Sequence, residues 1–351
     1  VRVLVTGATG FVGSHTARAL VEAGHRVRVF ARDRSRVEQV LAAHAAKLED
    51  VVTGDMNDAD AVARALSGCE AAVHAAALVS LRREDRARTA RANLRGTELV
   101  VGGAVRAGLA PVIYVSSTAA LFRPGGSAAS AGHGVGPDAP INTVGTPYAR
   151  SKARPERFVR GLQTQRAPIA TTYPSAVIGP GDPGHSEAMR GLAMCVNEAT
   201  MITSSGQQFV DVRDLAEIHR RLVEREPRPA RYVAAARFLP WAELADVLEE
   251  EAGLKLRRIE APGELLRALG SVGDALRRWL PIDERITGEA VAFATRWPQF
   301  DARRTERELD FAFRDPRESI RDALRELVAR GHVDAKLAPR AAGRRDGALG
   351  V

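Results

Sequence analysis

Two groups of residues in this chain have the types and the spacing to do chemistry. Tyr148 and Lys152 stand four apart in a stretch with helical character, so they share a face about one turn apart. A tyrosine with a pKa of about 10 is a poor base near neutrality. A neighbouring ammonium favours the phenolate and lowers that pKa, so the pair is a tunable proton donor and acceptor. Thr118 closes the apolar run 111–115, where its hydroxyl can hold a carbonyl oxygen beside the tyrosine. The second group is Thr6-Gly7-Ala8-Thr9-Gly10-Phe11-Val12-Gly13. Bare glycine backbone can approach a pyrophosphate, and a helix starting at Phe11 would offer free N–H groups and the positive end of its dipole. Together the two groups point to hydride chemistry with a nicotinamide cofactor.

These residues need a frame. Arg2–Val5 is a short β-branched run that reads as a buried strand, and a helical pattern follows from Phe11 to Ala23. Further strands are expected near 26–31, 50–53, 70–75, 111–116 and 168–173, alternating with helices. That alternation is the signature of a doubly wound parallel sheet, an α/β fold of Rossmann type. Residues 1–175 are expected to form the dinucleotide-binding domain. Residues 176–333 would form a smaller mixed substrate-binding subdomain, with a segment near 205–235 returning to the first.

The glycine spacing is Gly-x-x-Gly-x-x-Gly rather than the commoner Gly-x-Gly-x-x-Gly. The second strand runs into Arg32, which suits a 2′-phosphate, where an acidic residue would grip a ribose 2′-hydroxyl. Asp33 follows at once and blurs that distinction, while Arg34 and Arg36 add positive charge. NADP is the expected cofactor, with NAD the alternative.

The ordered motifs resemble the extended short-chain dehydrogenase/reductases, the NAD-dependent epimerase/dehydratase superfamily, over roughly residues 1–330. The resemblance rests on the Thr6–Gly13 loop, Val115–Thr118 and Tyr148-x-x-x-Lys152. It is strengthened by Gly54–Met56, Val73–Ala77, Ala92–Thr97, Tyr173–Ser175, Gly179–Gly181 and Phe209–Ala216. It implies that Tyr148 is the catalytic acid/base and that Lys152 binds the nicotinamide ribose. It further implies that Thr118 bonds the substrate oxygen and that Asn93 supports the site from its helix, by a catalytic or a structural role. Asp55 and Met56 would lie by the adenine, Ala75, Ala76 and Ala77 along the cofactor, and Pro174 and Ser175 by the nicotinamide. His74 reads as a strand-end residue. The resemblance also implies a possible homodimer through two helices of each subunit.

Three reactions share such a site. A nucleotide-sugar dehydratase would carry an Asp-Glu pair after Thr118, where this chain has Ala119 and Ala120. An epimerase with tightly bound NAD would carry an arginine where Gln207 and Gln208 stand. The remaining reading is a reductase of a ketone or aldehyde, or a dehydrogenase of the alcohol, on a small or medium-sized organic substrate. The pattern is nearest the dihydroflavonol-reductase and 3β-hydroxysteroid-dehydrogenase branch. A cofactor-binding sensor without turnover stays as the non-enzymatic alternative. Pro155 is expected to kink the catalytic helix near Ser151, because it lacks an N–H and clashes with the carbonyl four residues back.

Composition narrows the rest. The 351 residues carry a net charge of +8, nearly all of the positive charge being arginine. No basic stripe suggests nucleic acid, and the sign suits an anionic cofactor. Cys69 and Cys195 lie far apart with no metal spacing, the pattern of free thiols in a reducing, cytoplasmic setting. No leader or membrane span is expected, and no metal. Residues 122–146 form a Gly/Ala/Ser/Pro-rich insertion beside the site, read as a substrate loop. Trp241–Ala252 and Pro262–Leu280 read as amphipathic helices, the second as core packing or a pocket wall in preference to a membrane-surface helix. Residues 334–351 read as a disordered tail.

Overall fold

The structure, a computed structural model, describes residues 1–78, 86–121, 134–142, 147–260, 295 and 297–343, with the backbone alone for Arg86 and for 147–150. The expected helix Pro262–Leu280, most of the insertion and residues 344–351 lie outside the described residues.

Seven parallel strands form the main sheet. They are β1 (Arg2–Thr6), β2 (Arg26–Ala31), β3 (Asp50–Thr53), β4 (Ala71–His74), β5 (Val112–Val115), β6 (Ile169–Pro174) and a seventh, Ala230–Ala234. The spatial order from one edge is the seventh strand, β6, β5, β4, β1, β2, β3. Every pairing is parallel. The first six match the expected segments within one residue at either end.

Alternation along β1 shows why the sheet is covered on both faces. Val3 and Val5 enter one apolar cluster with Ala17, Leu20, Leu215 and Ile218. Leu4, between them, enters another with Val62, Val100, Val101 and Val159. The first cluster is roofed by α1 (Phe11–Glu22) and α7 (Val212–Glu224). The second is roofed by α3 (Ala59–Leu66), α4 (Arg86–Arg106) and α5 (Pro147–Thr164). Successive strand side chains point to opposite faces, so a strand buried on both faces reads as a continuous apolar run. A third cluster joins α6 (Glu187–Asn197) and α8 (Trp241–Ala252) to a late helix, Pro316–Ala329, through Leu192, Val196, Leu244, Leu248 and Leu324.

The strand order reverses at β1: β2 and β3 lie on one side of it, and the crossover from β3 returns to place β4 on the other. In such sheets a crevice opens at the carboxyl ends of the strands where the order reverses. Gly7 follows β1 there, and Ala75 follows β4.

Two expectations need correction or qualification. Residues 334–343 do not belong to a disordered tail: Pro339–Gly343 is helical and Ala338 and Ala341 are buried against the third cluster. Alanine packs closely at helix crossings while giving composition little apolar weight, so this segment looked unfoldable. Pro155 sits inside α5, which continues through it from Pro147 to Thr164. The helix is therefore not broken there, although the bond to the Ser151 carbonyl is missing. Among the described residues no helix is long and apolar enough to cross a membrane.

Three histidines are held neutral within this frame. His219 is fully buried, with Nδ1 bonded to the Thr16 hydroxyl at 2.9 Å and Nε2 to that of Thr172 at 3.1 Å; burial pulls its pKa down to about 3. His74 is buried between Thr6 and Thr97, and burial, helped by the Lys152 charge, lowers it to about 4. Burial, then the Arg18 charge, lowers His15 to about 4. The unfolded chain therefore binds protons below about pH 6.5 that the folded chain refuses. Stability is complete above pH 6.5 and falls as pH drops toward 4, by on the order of 1 kcal/mol per pH unit for each histidine. Thermal midpoints measured between neutrality and mild acid should show this slope, and His219→Gln should reduce it by about a third. A flat wild-type profile over that window would contradict the assignment.

Candidate active site

The loop after β1 is shaped by two glycines that no other residue could replace without movement. Gly7 has φ +77°, and a Cβ there would lie 2.7 Å from the Ala76 nitrogen. A Cβ on Gly13 would lie 2.2 Å from the Gly7 carbonyl oxygen. These two let β1, β4 and α1 close on one another. Gly10 is different. It caps α1 with ordinary extended backbone, is exposed, and a Cβ there would meet only the Gly7 oxygen, at 3.4 Å. Its missing side chain leaves room for something that is not protein, at the free N–H end of a helix. Thr9 completes the turn, half-buried, and the Gly10 N–H donates to Gly7 O at 2.9 Å.

The loop after β4 is held from two sides. The Ala76 N–H donates to the Thr6 hydroxyl at 3.2 Å, and that hydroxyl also meets His74 Nδ1 at 2.8 Å. Asn93, on α4, accepts from the Leu78 N–H at 2.7 Å and donates to the Leu78 carbonyl at 2.9 Å. A carboxamide matches a peptide group donor for acceptor. Of the two roles expected for Asn93, these bonds supply the structural one: it pins the backbone beside Ala75–Ala77 with one amide hydrogen and one oxygen lone pair.

At the outer end, the Asp33 carboxylate caps α2 (Arg34–Val40), accepting from Ser35 N and Oγ at 2.9 and 2.7 Å. Arg34 donates to Val51 O, and Arg36 to Gln39 and Pro183 O. Arg32 is exposed and faces Asp55 electrostatically. Asp55 is held below the usual carboxylate range first by the Asn57 N–H, then by the Asn57 side chain and Arg32. Met56 packs over α4 at Gly96, where a Cβ would lie 2.7 Å from its sulfur.

The expected catalytic residues lie where β5, β6 and α5 converge. Thr118 is buried and its hydroxyl donates to Pro174 O at 3.3 Å, a long bond that a substrate oxygen can displace. Burial pulls the Lys152 ammonium below its usual range, with Glu187 opposing. Tyr148 lies one turn before Lys152 on α5; its side chain lies outside the described residues. The Ser175 hydroxyl is buried without a hydrogen-bond partner among the described residues.

A cavity of about 1070 Å³ joins these parts. Gly7, Gly10, Phe11, Val12, Gly13, Ala75 and Ala77 line one end, and Thr118, Lys152, Pro174 and Ser175 the middle. Of the expected set, Thr9, Arg32, Asp55, Met56, Ala76 and Asn93 are not in its wall. The far end was not foreseen. Leu192 on α6, Phe209, Trp241 and Leu244 on α8, and Trp297 make it largely apolar, with Glu187 and Arg190 contributing one charge of each sign. Gln207 also faces it, whereas Gln208 is buried and pins Phe300 N, Phe300 O and Ala236 O. The Phe209–Ala216 motif proves to be a joint: Asp211 caps α7 and binds Arg213, which also meets Asp322.

The fit to a dinucleotide can be judged on these observations. A cradle closed by Gly7 and Gly13, open at Gly10, leads to an orphaned hydroxyl at Ser175 and an ammonium at Lys152. The residues present suit a pyrophosphate at α1 and a carboxamide and ribose beyond it.

Comparison with known proteins agrees. A family model described as NAD dependent epimerase/dehydratase family matches residues 3–235. The chain is 30% identical over 280 residues to sterol demethylase protein B of Methylococcus capsulatus, covering 79% of this chain and 83% of that protein. It is 33% identical over 189 residues to a 3-beta-hydroxysteroid dehydrogenase of Mycolicibacterium neoaurum, covering 52% of this chain and only 49% of that one. The crystal structure of gox2253 superposes with a TM-score of 0.80 at 29% identity, covering 95% of this chain and 99% of that chain.

Proposed function

The chain belongs to the NAD-dependent epimerase/dehydratase family and is an NAD(P)-dependent oxidoreductase of the extended short-chain type; from that premise we propose that it interconverts a carbonyl and an alcohol on a medium-sized, largely apolar substrate. The observation that carries this reading is the single cavity running from the Gly7–Gly13 cradle past Lys152 and Thr118 to the apolar end at Phe209, Trp241 and Trp297. The name of the dehydrogenase relative is in keeping with it.

A nicotinamide cofactor bound in the cradle supplies or accepts the hydride. The chain's residues do the rest. Thr118 turns its hydroxyl from Pro174 O to the substrate oxygen. Tyr148 gives that oxygen a proton in reduction and takes it back in oxidation. Lys152 holds the ribose and, as a half-buried cation one turn away, keeps the phenol acidic. Phe11, Trp241 and Leu244 exclude water from the reacting carbon. Gln207 is neutral where a nucleotide-sugar diphosphate would call for a cation, which favours this reading over epimerisation.

NADP is the proposed cofactor. Asp33, the residue that would grip a 2′-hydroxyl, caps α2 through its Oδ1, and Arg32 beside it is the arginine of this turn whose hydrogen bonds are not spent on described residues. A charge-assisted hydrogen bond contributes about 1.5–3 kcal/mol. Arg32→Ala should therefore weaken NADPH binding by about 10- to 100-fold and leave NADH within a few-fold. Fluorescence titration of both cofactors checks it; equal losses for the two would contradict the NADP assignment. The proposal that Thr118, Tyr148 and Lys152 act together is tested by steady-state kinetics on a carbonyl panel. A homodimer remains a proposal, for which light scattering is the measurement.

A further inference from the structure

One buried carboxylate under the site has no part in the steps above. Glu156 is 0% exposed. Its Oε2 accepts from the Ser116 hydroxyl at 2.8 Å. Its Oε1 accepts from the Tyr173 hydroxyl at 2.5 Å and from Arg160 Nε at 2.8 Å. Arg160 goes on to donate to the Tyr173 oxygen at 3.1 Å and to Ala139 O at 2.9 Å.

Each partner comes from a different wall of the active site. Ser116 continues β5 into Thr118. Tyr173 precedes Pro174 and Ser175 on β6. Glu156 and Arg160 lie on α5, and Ala139 in the described part, 134–142, of the 122–146 insertion. A buried carboxylate is costly unless its oxygens are paired, and an apolar side chain would fill the same space more cheaply. What a carboxylate adds is direction: three donors on two oxygens fix the angles between the elements that carry them. The need is local. Pro155 removes the helical bond to the Ser151 carbonyl, in the turn between Lys152 and Glu156. Glu156 follows Lys152 by four residues and Tyr148 by eight, so all three share one face of α5. The helix is thus tied to the sheet just past the point where proline loosens it.

We propose that Glu156 is a positioning residue, holding the α5 turn that bears Tyr148 and Lys152 in register with Ser116–Thr118 on β5 and Tyr173–Ser175 on β6. The proposal rests on the Tyr148–Lys152 reading given above, and the test separates the two.

The chain has four tyrosines, Tyr114, Tyr148, Tyr173 and Tyr232. Burial holds Tyr114, Tyr173 and Tyr232 above the usual phenol range. In an alkaline absorbance titration the first phenolate to form therefore reports Tyr148, and Tyr148→Phe should remove it. The charged group acting on Lys152 from another element, Glu187 on α6, and the neutral His74 on β4 that faces it are unchanged in the variants used. Glu156→Gln keeps the shape and an acceptor for Tyr173 and Arg160, and Ser116 can turn to accept from the new amide. With Lys152 less well placed, the first phenolate should form about one pH unit higher. The value of kcat should fall by about tenfold, and cofactor affinity should change by less than about twofold. Ser116→Ala cuts one arm without unpairing Arg160; it should shift the phenolate the same way by less, and it carries the test if Glu156→Gln does not fold. A wild-type chain with no early phenolate overturns the Tyr148–Lys152 reading, and this proposal with it. An early phenolate in the wild type that both variants leave in place overturns the role of Glu156 alone. So does an activity loss that merely follows the unfolded fraction.

Discussion

Replacing Tyr148 with phenylalanine should lower kcat by about 10²- to 10⁴-fold, the usual contribution of a placed general acid or base. Cofactor affinity should stay within about twofold. The substitution removes one oxygen and leaves the ring, the helix and the Gly7–Gly13 cradle as they were. Without the phenol, the oxygen that forms on the substrate during hydride transfer must take its proton from water, and Thr118 alone remains to hold it. Lys152, which would hold the cofactor ribose, is untouched by the substitution, which is why binding and turnover should separate. Single-turnover measurements with saturating cofactor give the clearest reading. Turnover within a few-fold of the wild type would end the assignment of Tyr148 as the proton donor.

Gly10→Ala and Gly13→Ala should fail in different ways, and the contrast tests the cradle. A methyl group on Gly13 would lie 2.2 Å from the Gly7 oxygen and 2.4 Å from the Gly7 carbon. Backbone cannot swing aside as a side chain can, so α1 must move away from β1. Overpacking of this kind costs about 1–3 kcal/mol, and both the thermal midpoint and cofactor binding should drop. A methyl group on Gly10 meets nothing closer than 3.4 Å in the protein. The folded chain should lose no more than about 0.5 kcal/mol. The same methyl occupies the space above the α1 N-terminus, so affinity for the dinucleotide should fall by about 100-fold, equivalent to about 2.7 kcal/mol. Calorimetry and cofactor titration on the pair decide the matter. Unchanged binding in Gly10→Ala would mean that the pyrophosphate does not sit at this helix end.

What the sequence made legible was whatever depends on neighbours along the chain. The strand at Arg2–Thr6, its glycine turn and the helix from Phe11 are local patterns, and β2 to β6 carry the same apolar runs between turns. The Tyr148–Lys152 spacing is local too. Asp33 was ambiguous because a carboxylate one residue past a strand can grip a ribose or cap the next helix. Its Oδ1 accepts from Ser35 and Arg36, so it caps α2. Asn93 was left with two roles for a similar reason, since an amide suited to a substrate is equally suited to the peptide at Leu78. The apolar end of the cavity was hidden because Phe209, Trp241 and Trp297 meet only through the tertiary fold. Glu156 had a signal, its place one turn after Lys152 on the same helix face. Its meaning required Ser116 and Tyr173, which come from two neighbouring strands. Ala338 and Ala341 were lost in a composition that looked too poor to fold.

The most direct test of the whole account is a titration of the purified chain with NADPH and NADH, followed by a panel of ketones and aldehydes of increasing apolar size. Loss of reduced-cofactor absorbance is the signal. The account predicts tighter binding of NADPH, and oxidation of it with at least one apolar ketone or aldehyde. A chain that binds either cofactor, oxidises neither with any carbonyl on the panel, and instead inverts a nucleotide sugar would contradict it.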